Sequence, residues 1–377
     1  MIIWIILILC VVAVVTHRIW VSISAKRRKT AGQSPFVRGL TALLDGDYNS
    51  AINLLKQAVK EQPQDIEPYL RLGDVLRETG EVKRAIQIHR ELTIRPGIPK
   101  KTMARIFVSL ARDYTAAGRL DRASATYEHA LELSPDDEKV MEDLLSVYEE
   151  MGEWDKAYLL RRDLSKARKV DDTHMLALYK AYIGKMHLDQ NDTKRAEANL
   201  KDALKIDSEC AAAYLYLGDL YYETGNIDNA ISAWRRIVTL FPEIAYITFG
   251  RLEKAFYEKG RFEKIVDLYN DVLDRNPRDV RTIMTLANIH RKKGNLDDAL
   301  RLCQMALEFD PGSRRIKQAL ARLYYEKGDV ERSLQAMVEA FNGFSSDEEF
   351  YYCNNCGYRS SEVLWRCPRC KAWETFV

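Results

Sequence analysis

The sequence predicts an all-α protein built mainly from repeated helical hairpins stacked into one right-handed solenoid. Three observations predict it: a turn residue recurs at intervals of 34 to 39 residues, an unbroken apolar run opens the chain, and four paired cysteines close it. The predicted order is an apolar membrane anchor over 1–23, a basic linker over 24–32, repeats over 33–345 and a metal module over 350–377.

The bulk composition limits the classes of function. A chain of 377 residues with 47% apolar content can bury a large core and form more than one module. Its formal net charge of only +2 gives no electrostatic case for a nucleic-acid partner or an acidic partner. Paired cysteines in a chain of this length indicate metal ligands kept reduced in the cytosol rather than a disulfide framework.

The N-terminal segment predicts a membrane anchor. The run Ile2–Val15 is apolar throughout, Trp4 and Trp20 stand where an aromatic belt is expected, and a basic stretch occupies 26–29. A cleaved signal peptide is the alternative, but no basic residue precedes the run and no Ala-x-Ala-like site follows it. We therefore expect an uncleaved single span, with the N-terminus outside and the rest of the chain in the cytoplasm.

The repeats are defined by three recurring positions. The first is a turn residue, found at Gly46, Gly80, Gly118, Gly152, Asn191, Gly225, Gly260, Gly294 and Gly328. Five residues later comes a small or modest side chain: Ala51, Ala85, Ala123, Ala157, Ala196, Ala230, Ile265, Ala299 and Ser333. Nine residues after the turn comes a larger filler: Leu55, His89, Tyr127, Arg161, Leu200, Trp234, Tyr269, Cys303 and Met337.

This pattern predicts nine hairpins of the tetratricopeptide type. A left-handed turn residue ends helix A, a small residue lets helix B approach, and the filler occupies the space between them. Gly73 and Gly218, each seven residues before a turn glycine, would allow the same approach from helix A. Of the two long intervals, one contains 95–101, predicted to be a loop, and the other surrounds 166–169. Arg161 in a filler position predicts a distorted fourth hairpin and places any bend there.

The A helices of a solenoid line a concave groove suited to an extended peptide or a helix. The side chains expected to face it are Asp74, Arg77, Arg112, Lys185, Asp219, Tyr222, Lys254, Tyr257, Asn288, Arg291, Lys292, Arg322 and Tyr325. For any single member the alternative is a solvated helix face. The prediction therefore concerns the groove as a whole.

Four cysteines near the C-terminus predict a metal site. Cys353 and Cys356 form one Cys-x-x-Cys pair, and Cys367 and Cys370 form the second. Four thiolates complete a tetrahedral shell that suits one Zn²⁺ or one iron ion, with no open position to activate water or substrate. Gly357 follows the first pair, where positive φ is expected. Lys371 follows the second, where glycine is common, and this weakens an inference of iron redox chemistry.

The metal module is too small to bury a core of its own. We expect its aromatic residues to cover the sulfurs and to pack on the last helices around Tyr324 and Phe341; a partner-binding aromatic patch is the alternative. Metal binding would then contribute folding free energy at this end of the chain.

No catalytic motif is found. The sequence has no glycine-rich phosphate loop, no His-Glu-x-x-His and no Gly-x-Ser-x-Gly. His89 and Cys303 occupy filler positions and are expected to be packed between helices. We therefore expect a protein that is not an enzyme.

The order of anchor, basic linker, nine repeats and cysteine module resembles the LapB (lipopolysaccharide assembly protein B) family over essentially the whole chain. Its most specific part is Cys353-Asn-Asn-Cys356-Gly357-Tyr358 followed by Leu364-Trp365-Arg-Cys367-Pro368-Arg-Cys370-Lys-Ala-Trp373. This tail resembles the family's rubredoxin-type module, including the ten-residue gap and both tryptophans.

The resemblance implies an inner-membrane protein whose repeats and metal module lie in the cytoplasm. It implies an adaptor through which the AAA+ membrane protease FtsH degrades the deacetylase that commits carbon to lipid A, with lipopolysaccharide assembly enzymes as further partners. The alternative function is membrane-bound electron transfer with iron in the four-thiolate site. Nucleic-acid binding by a zinc ribbon is disfavoured by the charge balance and the anchor. Self-association and the identity of the metal stay open.

Overall fold

The computed structural model describes residues 34–261, 263–341 and 350–376. The chain divides between Asp171 and Asp172 into two compact units. The described part of the first unit contains eight helices in four consecutive hairpins: α1 Pro35–Leu44, α2 Tyr48–Glu61, α3 Ile66–Glu78, α4 Val82–Thr93, α5 Lys100–Ala116, α6 Leu120–Leu133, α7 Glu138–Met151 and α8 Trp154–Arg168.

Five further hairpins and the metal module lie among the described residues of the second unit. Its helices are α9 Thr173–Asp189, α10 Thr193–Ile206, α11 Ala211–Glu223, α12 Ile227–Leu240, α13 Phe249–Glu258, α14 Glu263–Arg275, α15 Val280–Lys292, α16 Leu296–Phe309, α17 Arg314–Glu326 and α18 Val330–Phe341. A 3-10 helix, Pro242–Thr248, leads into α13. The strands β1 Tyr351–Tyr352 and β2 Arg359–Ser360 pair antiparallel, with Tyr351 opposite Ser360. The predicted all-helical repeat with a C-terminal metal module is confirmed.

The turn positions explain why each hairpin folds back. All nine predicted turn residues have positive φ, from 60° at Asn191 to 86° at Gly328. At Gly80 the backbone N–H donates to the Arg77 carbonyl at 3.0 Å, and the next N–H, of Glu81, donates to Leu76 at 2.7 Å. These bonds satisfy carbonyls that the end of a helix would otherwise leave unpaired.

Small residues and fillers meet between the two helices of each hairpin. A Cβ on Gly73 would lie 2.3 Å from Nε2 of His89, and one on Gly218 would lie 2.2 Å from Nε1 of Trp234. Both fillers are buried. The predicted close packing at these two glycines is therefore confirmed.

Three details of the repeat differ from prediction or stay untested. Met337 was predicted to be a filler but is 45% exposed, because Ser333, Ala336 and Ala340 form the buried face of α18. The loop predicted over 95–101 ends earlier, since Lys100 already begins α5. Arg161 is half-buried, and the bend expected at the fourth hairpin stays a prediction.

The predicted anchor over 1–23 and the basic linker over 24–32 lie outside the described residues. Within the part of the chain that the structure describes, no helix combines the length and apolar character needed to cross a bilayer.

Candidate metal centre and its seat on the repeats

Two tight backbone turns present the four cysteines. In the first, the Gly357 N–H donates to the Cys353 carbonyl at 2.8 Å, and φ of Gly357 is 68°. In the second, the Lys371 N–H donates to Cys367 at 2.9 Å, and φ of Lys371 is 63°. The two turns are therefore alike although a lysine occupies the second. A non-glycine residue in this region costs on the order of 1 kcal/mol, which the surrounding structure must offset.

The four sulfurs lie close enough to share one ion. All four Sγ atoms are within 4.8 Å of one another, with Cys353 and Cys370 at 3.5 Å and Cys356 and Cys367 at 3.7 Å. A Zn–S bond of about 2.3 Å gives a tetrahedron with edges of about 3.8 Å. The donor set and its spacing thus fit a four-thiolate ion. Zn²⁺ and iron fit it equally well, because both form S₄ sites.

Hydrogen bonds to the sulfurs prepare part of the shell for ionisation. Burial disfavours the Cys353 thiolate, but hydrogen bonds from Thr375 Oγ1 and from the N–H groups of Asn355 and Cys356 outweigh it and lower the pKa of Cys353 to about 6. The Ala372 N–H, helped by the Asn355 side chain, lowers the pKa of Cys370. Burial raises the pKa of Cys356 to about 12. A metal ion would therefore have to displace the remaining protons as it binds.

The module packs on the second unit through two tryptophans. Trp373 stacks on Tyr179 with ring centroids 5.2 Å apart and meets Tyr182 edge-on at 5.6 Å. Trp365 is buried in the same core as α9 to α13. These two tryptophans therefore serve packing, as predicted.

The place where the module packs was predicted wrongly. Phe341, an expected contact, is 73% exposed, and Tyr324 packs instead in the core formed by α15 to α18. The module instead contacts three other elements. Trp373 stacks on Tyr179 of α9, Tyr351 stacks on Tyr246 of the 3-10 helix, and Arg281 of α15 lies over the Tyr351 ring.

Two further kinds of contact hold the metal module against the helices of the second unit: hydrogen bonds of a histidine and a cation–π contact. His174, at the start of α9, lies between two carboxylates, with Nδ1 2.7 Å from Asp207 and Nε2 3.0 Å from Glu374. Arg281 on α15 lies over the rings of Tyr246 and Tyr351, at 4.2 and 5.8 Å from their centroids. Two distant parts of the second unit thus hold the module.

The later groove candidates surround three adjoining cavities on α13, α15 and α17. Six of the seven predicted there line them: Lys254, Tyr257, Asn288, Arg291, Lys292 and Arg322. Tyr325 is 70% exposed, and it does not line any of the three cavities as they are described.

Sequence reasoning missed other residues of these walls. Arg281 and Arg315 each lie seven residues before a predicted member, on the same helix face, so counting back two more turns would have found them. Phe350 and Tyr351 also line one cavity. No helical period could have pointed to them, because they belong to the metal module.

The second-unit candidates nearer the unit's start are held in internal contacts. Asp219 accepts hydrogen bonds from Trp234 Nε1 at 3.2 Å and from Arg251 Nε at 2.6 Å. Tyr222 donates to Glu258, and Lys185 pairs with Asp189.

In the first unit, two of the three candidates line a separate cavity of about 600 Å³. These are Asp74 and Arg112, and Arg112 is bound to Asp143 at 2.8 Å. Arg77 instead reaches the fully buried Asp113 at 2.9 Å. Asp113 also contacts Nδ1 of His89 at 2.6 Å. His89 therefore belongs to a buried polar network, which agrees with a packing role. Cys303 is 1% exposed, also as predicted.

Comparisons with known proteins match both parts of this architecture. The family model of the LapB zinc ribbon, described as a rubredoxin metal binding domain, matches 351–377. Tetratricopeptide repeat models match 42–94, 106–141, 183–243, 256–323 and 290–341. Together with the sulfur geometry, the first match indicates a site for a metal ion.

Curated relatives run nearly the full length of the chain. Lipopolysaccharide assembly protein B of Escherichia coli strain K12 is 24% identical over 341 residues, which cover 90% of this chain and 88% of that protein. The protein of the same name from Haemophilus influenzae is 24% identical over 354 residues, with the same coverage. Among solved structures, the crystal structure of MamA is 22% identical and covers 42% of this chain and 93% of its own, with a TM-score of 0.33.

Proposed function

We infer that this chain, which belongs to the lipopolysaccharide assembly protein B family, helps to regulate lipopolysaccharide assembly as an adaptor that binds proteins and catalyses nothing. Its relatives, named for lipopolysaccharide assembly, support the process, and its repeats support a protein-binding role. The observation that carries the proposal is the metal module packed on the repeats, where Tyr351 forms part of a cavity wall.

The chemistry of the metal site supports a structural role. Four thiolates fill a tetrahedral shell, so the bound ion has no position left for water or substrate. The ion would fix the two turns and, through Trp365 and Trp373, the seat of the module. We propose zinc as this ion.

Electron transfer through iron is the competing function, and the relatives give it no support. Absorption spectroscopy of the purified protein separates the two: a zinc protein is colourless, whereas a ferric four-thiolate site is red and bleaches on reduction.

We further propose that the adaptor presents the lipid A pathway deacetylase to an FtsH-type membrane protease. In this scheme residues 1–23 anchor the chain in the inner membrane with the N-terminus in the periplasm, and the repeats and metal module lie in the cytoplasm. A tether raises the effective concentration of a bound client near a membrane protease without any new contact. The adaptor would thereby restrain lipopolysaccharide synthesis.

The test is affinity capture of the full-length chain from gently solubilised membranes, read by mass spectrometry. We expect the membrane protease and the deacetylase to be enriched together, and less so with Cys353→Ser, because this variant removes one of the four ligands. Cys210→Ser is the matched control, since Cys210 lies at the start of α11 and outside the sulfur cluster.

Enrichment of redox enzymes in place of these two proteins would overturn the adaptor function and support electron transfer. Enrichment of lipopolysaccharide assembly enzymes without the protease would keep the process and overturn the proteolytic mechanism.

A further inference from the structure

Three adjoining cavities form one continuous groove along the second unit. Their volumes are about 410, 270 and 540 Å³. Glu253 lines all three, while Thr285 and Arg315 line the first two. Because neighbouring cavities share walls, a ligand in one can extend into the next. We call this surface the basic groove.

The walls of the basic groove are stripes at helical spacing. On α13 the stripe is Gly250, Glu253, Lys254 and Tyr257; on α17 it includes Arg315, Gln318 and Arg322. Offsets of three, four and seven residues place side chains on one helix face. The basic groove is therefore a regular product of the stacked A helices.

The groove concentrates positive charge in a chain that is nearly neutral overall. Among the described residues that line it, Glu253 alone is acidic, and it already accepts a hydrogen bond from Tyr269 at 2.5 Å. Seven lining residues are basic: Lys254, Arg281, Arg291, Lys292, Lys293, Arg315 and Arg322. Glu326 neutralises part of this charge, because it pairs with Arg291 and Arg322. The balance still favours an anionic ligand.

Apolar side chains flank the basic ones at both ends of the groove. Tyr257, 69% exposed, lies with Ile265 and Ile289 in the cavity that also contains Lys292. At the other end Phe350 and Tyr351 form part of the wall. A ligand that combines negative charge with an aliphatic or aromatic side chain would satisfy both kinds of surface.

We propose that the basic groove binds an extended acidic segment of a client protein, anchored by an apolar side chain near Tyr257. The identification of the ligand as part of a client rests on the adaptor role proposed above; the preference for acidic peptide rests on the groove alone. We favour a peptide over a nucleic acid, because a groove lined by stacked A helices suits an extended peptide.

The test measures binding of a fluorescein-labelled peptide of about twelve residues, ~40 Å when extended, by the full-length protein in detergent. The peptide contains Asp and Glu around one Leu, and its control replaces the acids with Asn and Gln. We expect the acidic peptide to bind about tenfold more tightly and to weaken as salt rises. Replacing its Leu with Ser should also weaken binding.

Charge reversal locates the site. Lys292→Glu with Arg315→Glu should weaken binding of the acidic peptide about tenfold. The matched control is Lys194→Glu with Arg301→Glu, which makes the same change in net charge at exposed positions on α10 and α16. The control should weaken binding less than about twofold.

Equal effects of the two double variants, or no preference for the acidic peptide, would overturn the proposal. Tighter binding of a single-stranded oligonucleotide, or of vesicles containing an anionic lipid, would also overturn it. These outcomes are distinct from failure of the adaptor role. If the acidic peptide binds but affinity capture finds neither the protease nor the deacetylase, the ligand preference of the groove is supported and the proposed clients are wrong.

Discussion

Single glycines decide how closely two helices of a hairpin approach. Besides Gly73 and Gly218, a Cβ on Gly184 would lie 2.6 Å from Leu200. Gly184 is seven residues before Asn191, so the same rule that predicted the first two applies to it.

Gly218→Ala should destabilise the second unit. The new Cβ would lie 2.2 Å from Nε1 of Trp234, which is buried and donates to the Leu215 carbonyl at 3.2 Å, so the indole has no room to retreat. Overpacking of this kind costs roughly 1–3 kcal/mol. Thermal unfolding followed by circular dichroism should show a lower midpoint.

Gly250→Ala is the matched control for Gly218→Ala. Gly250 lies in α13, and a Cβ there would meet no atom within 4 Å, so the change should be neutral or stabilising by up to ~1 kcal/mol. Equal midpoints for the two variants would contradict the packing argument.

His174 makes the seat of the metal module sensitive to pH. Burial opposes the imidazolium, but hydrogen bonds and charge from Asp207 and Glu374 outweigh it and raise the pKa of His174 above 6.5. A pKa raised on folding stabilises the folded state below pH 6.5, and this contribution is lost as the pH rises through the raised value. His174→Gln should therefore cost most stability near pH 6 and least at about pH 8.

The measurement for His174 is the unfolding midpoint at each pH, compared between wild type and variant. His129→Gln is the control, since His129 is an exposed residue of the first unit and pairs with Glu132 on its own helix. A cost of His174→Gln that stays constant over this range would show that the ring acts by packing alone.

At the scale of elements, local rules predicted the hairpins and the cysteine turns but not the seat of the module. Positive φ at Gly357 followed from its position after a Cys-x-x-Cys pair. The stacking of Trp373 on Tyr179 joins residues 194 positions apart, and nothing in either local pattern selects the other. Contacts between modules depend on the shape of two finished surfaces, which periodicity does not encode.

Removing one ligand should unfold the metal module and leave the helices intact. Cys367→Ser eliminates a fully buried sulfur, so we expect loss of the ion, release of Trp373 from α9 and release of Trp365 from the core of the second unit. Metal analysis should show an empty protein, and tryptophan emission should shift to longer wavelength. Far-ultraviolet circular dichroism should keep its helical signal.

Cys210→Ser is again the control, because serine is a favoured residue at a helix N-cap and Cys210 occupies that position in α11. It should retain a full complement of metal. Full metal content in Cys367→Ser would disprove the four-cysteine assignment.

At the scale of the whole molecule, helical spacing predicted both the repeat fold and part of the groove. The repeats predicted the fold, and six of the later groove candidates line the cavities, since their positions follow from helical spacing. Arg77 shows where that reasoning stops. Its position satisfies the helical spacing, but its guanidinium pairs with Asp113. A buried carboxylate without a partner would strongly destabilise the fold.

The tether prediction belongs to the whole chain. Deleting residues 1–23 should leave the repeats and the metal module folded, since their cores form among residues beyond 33. The readout is the half-life of the deacetylase in cells. We expect that half-life to lengthen on deletion, because the client is no longer held near the membrane protease. An unrelated single-span segment of the same orientation should restore it, since only proximity is required. An unchanged half-life of the deacetylase in cells that carry the anchorless chain would refute the tether. If the unrelated segment failed to restore the half-life, residues 1–23 would make a specific contact of their own.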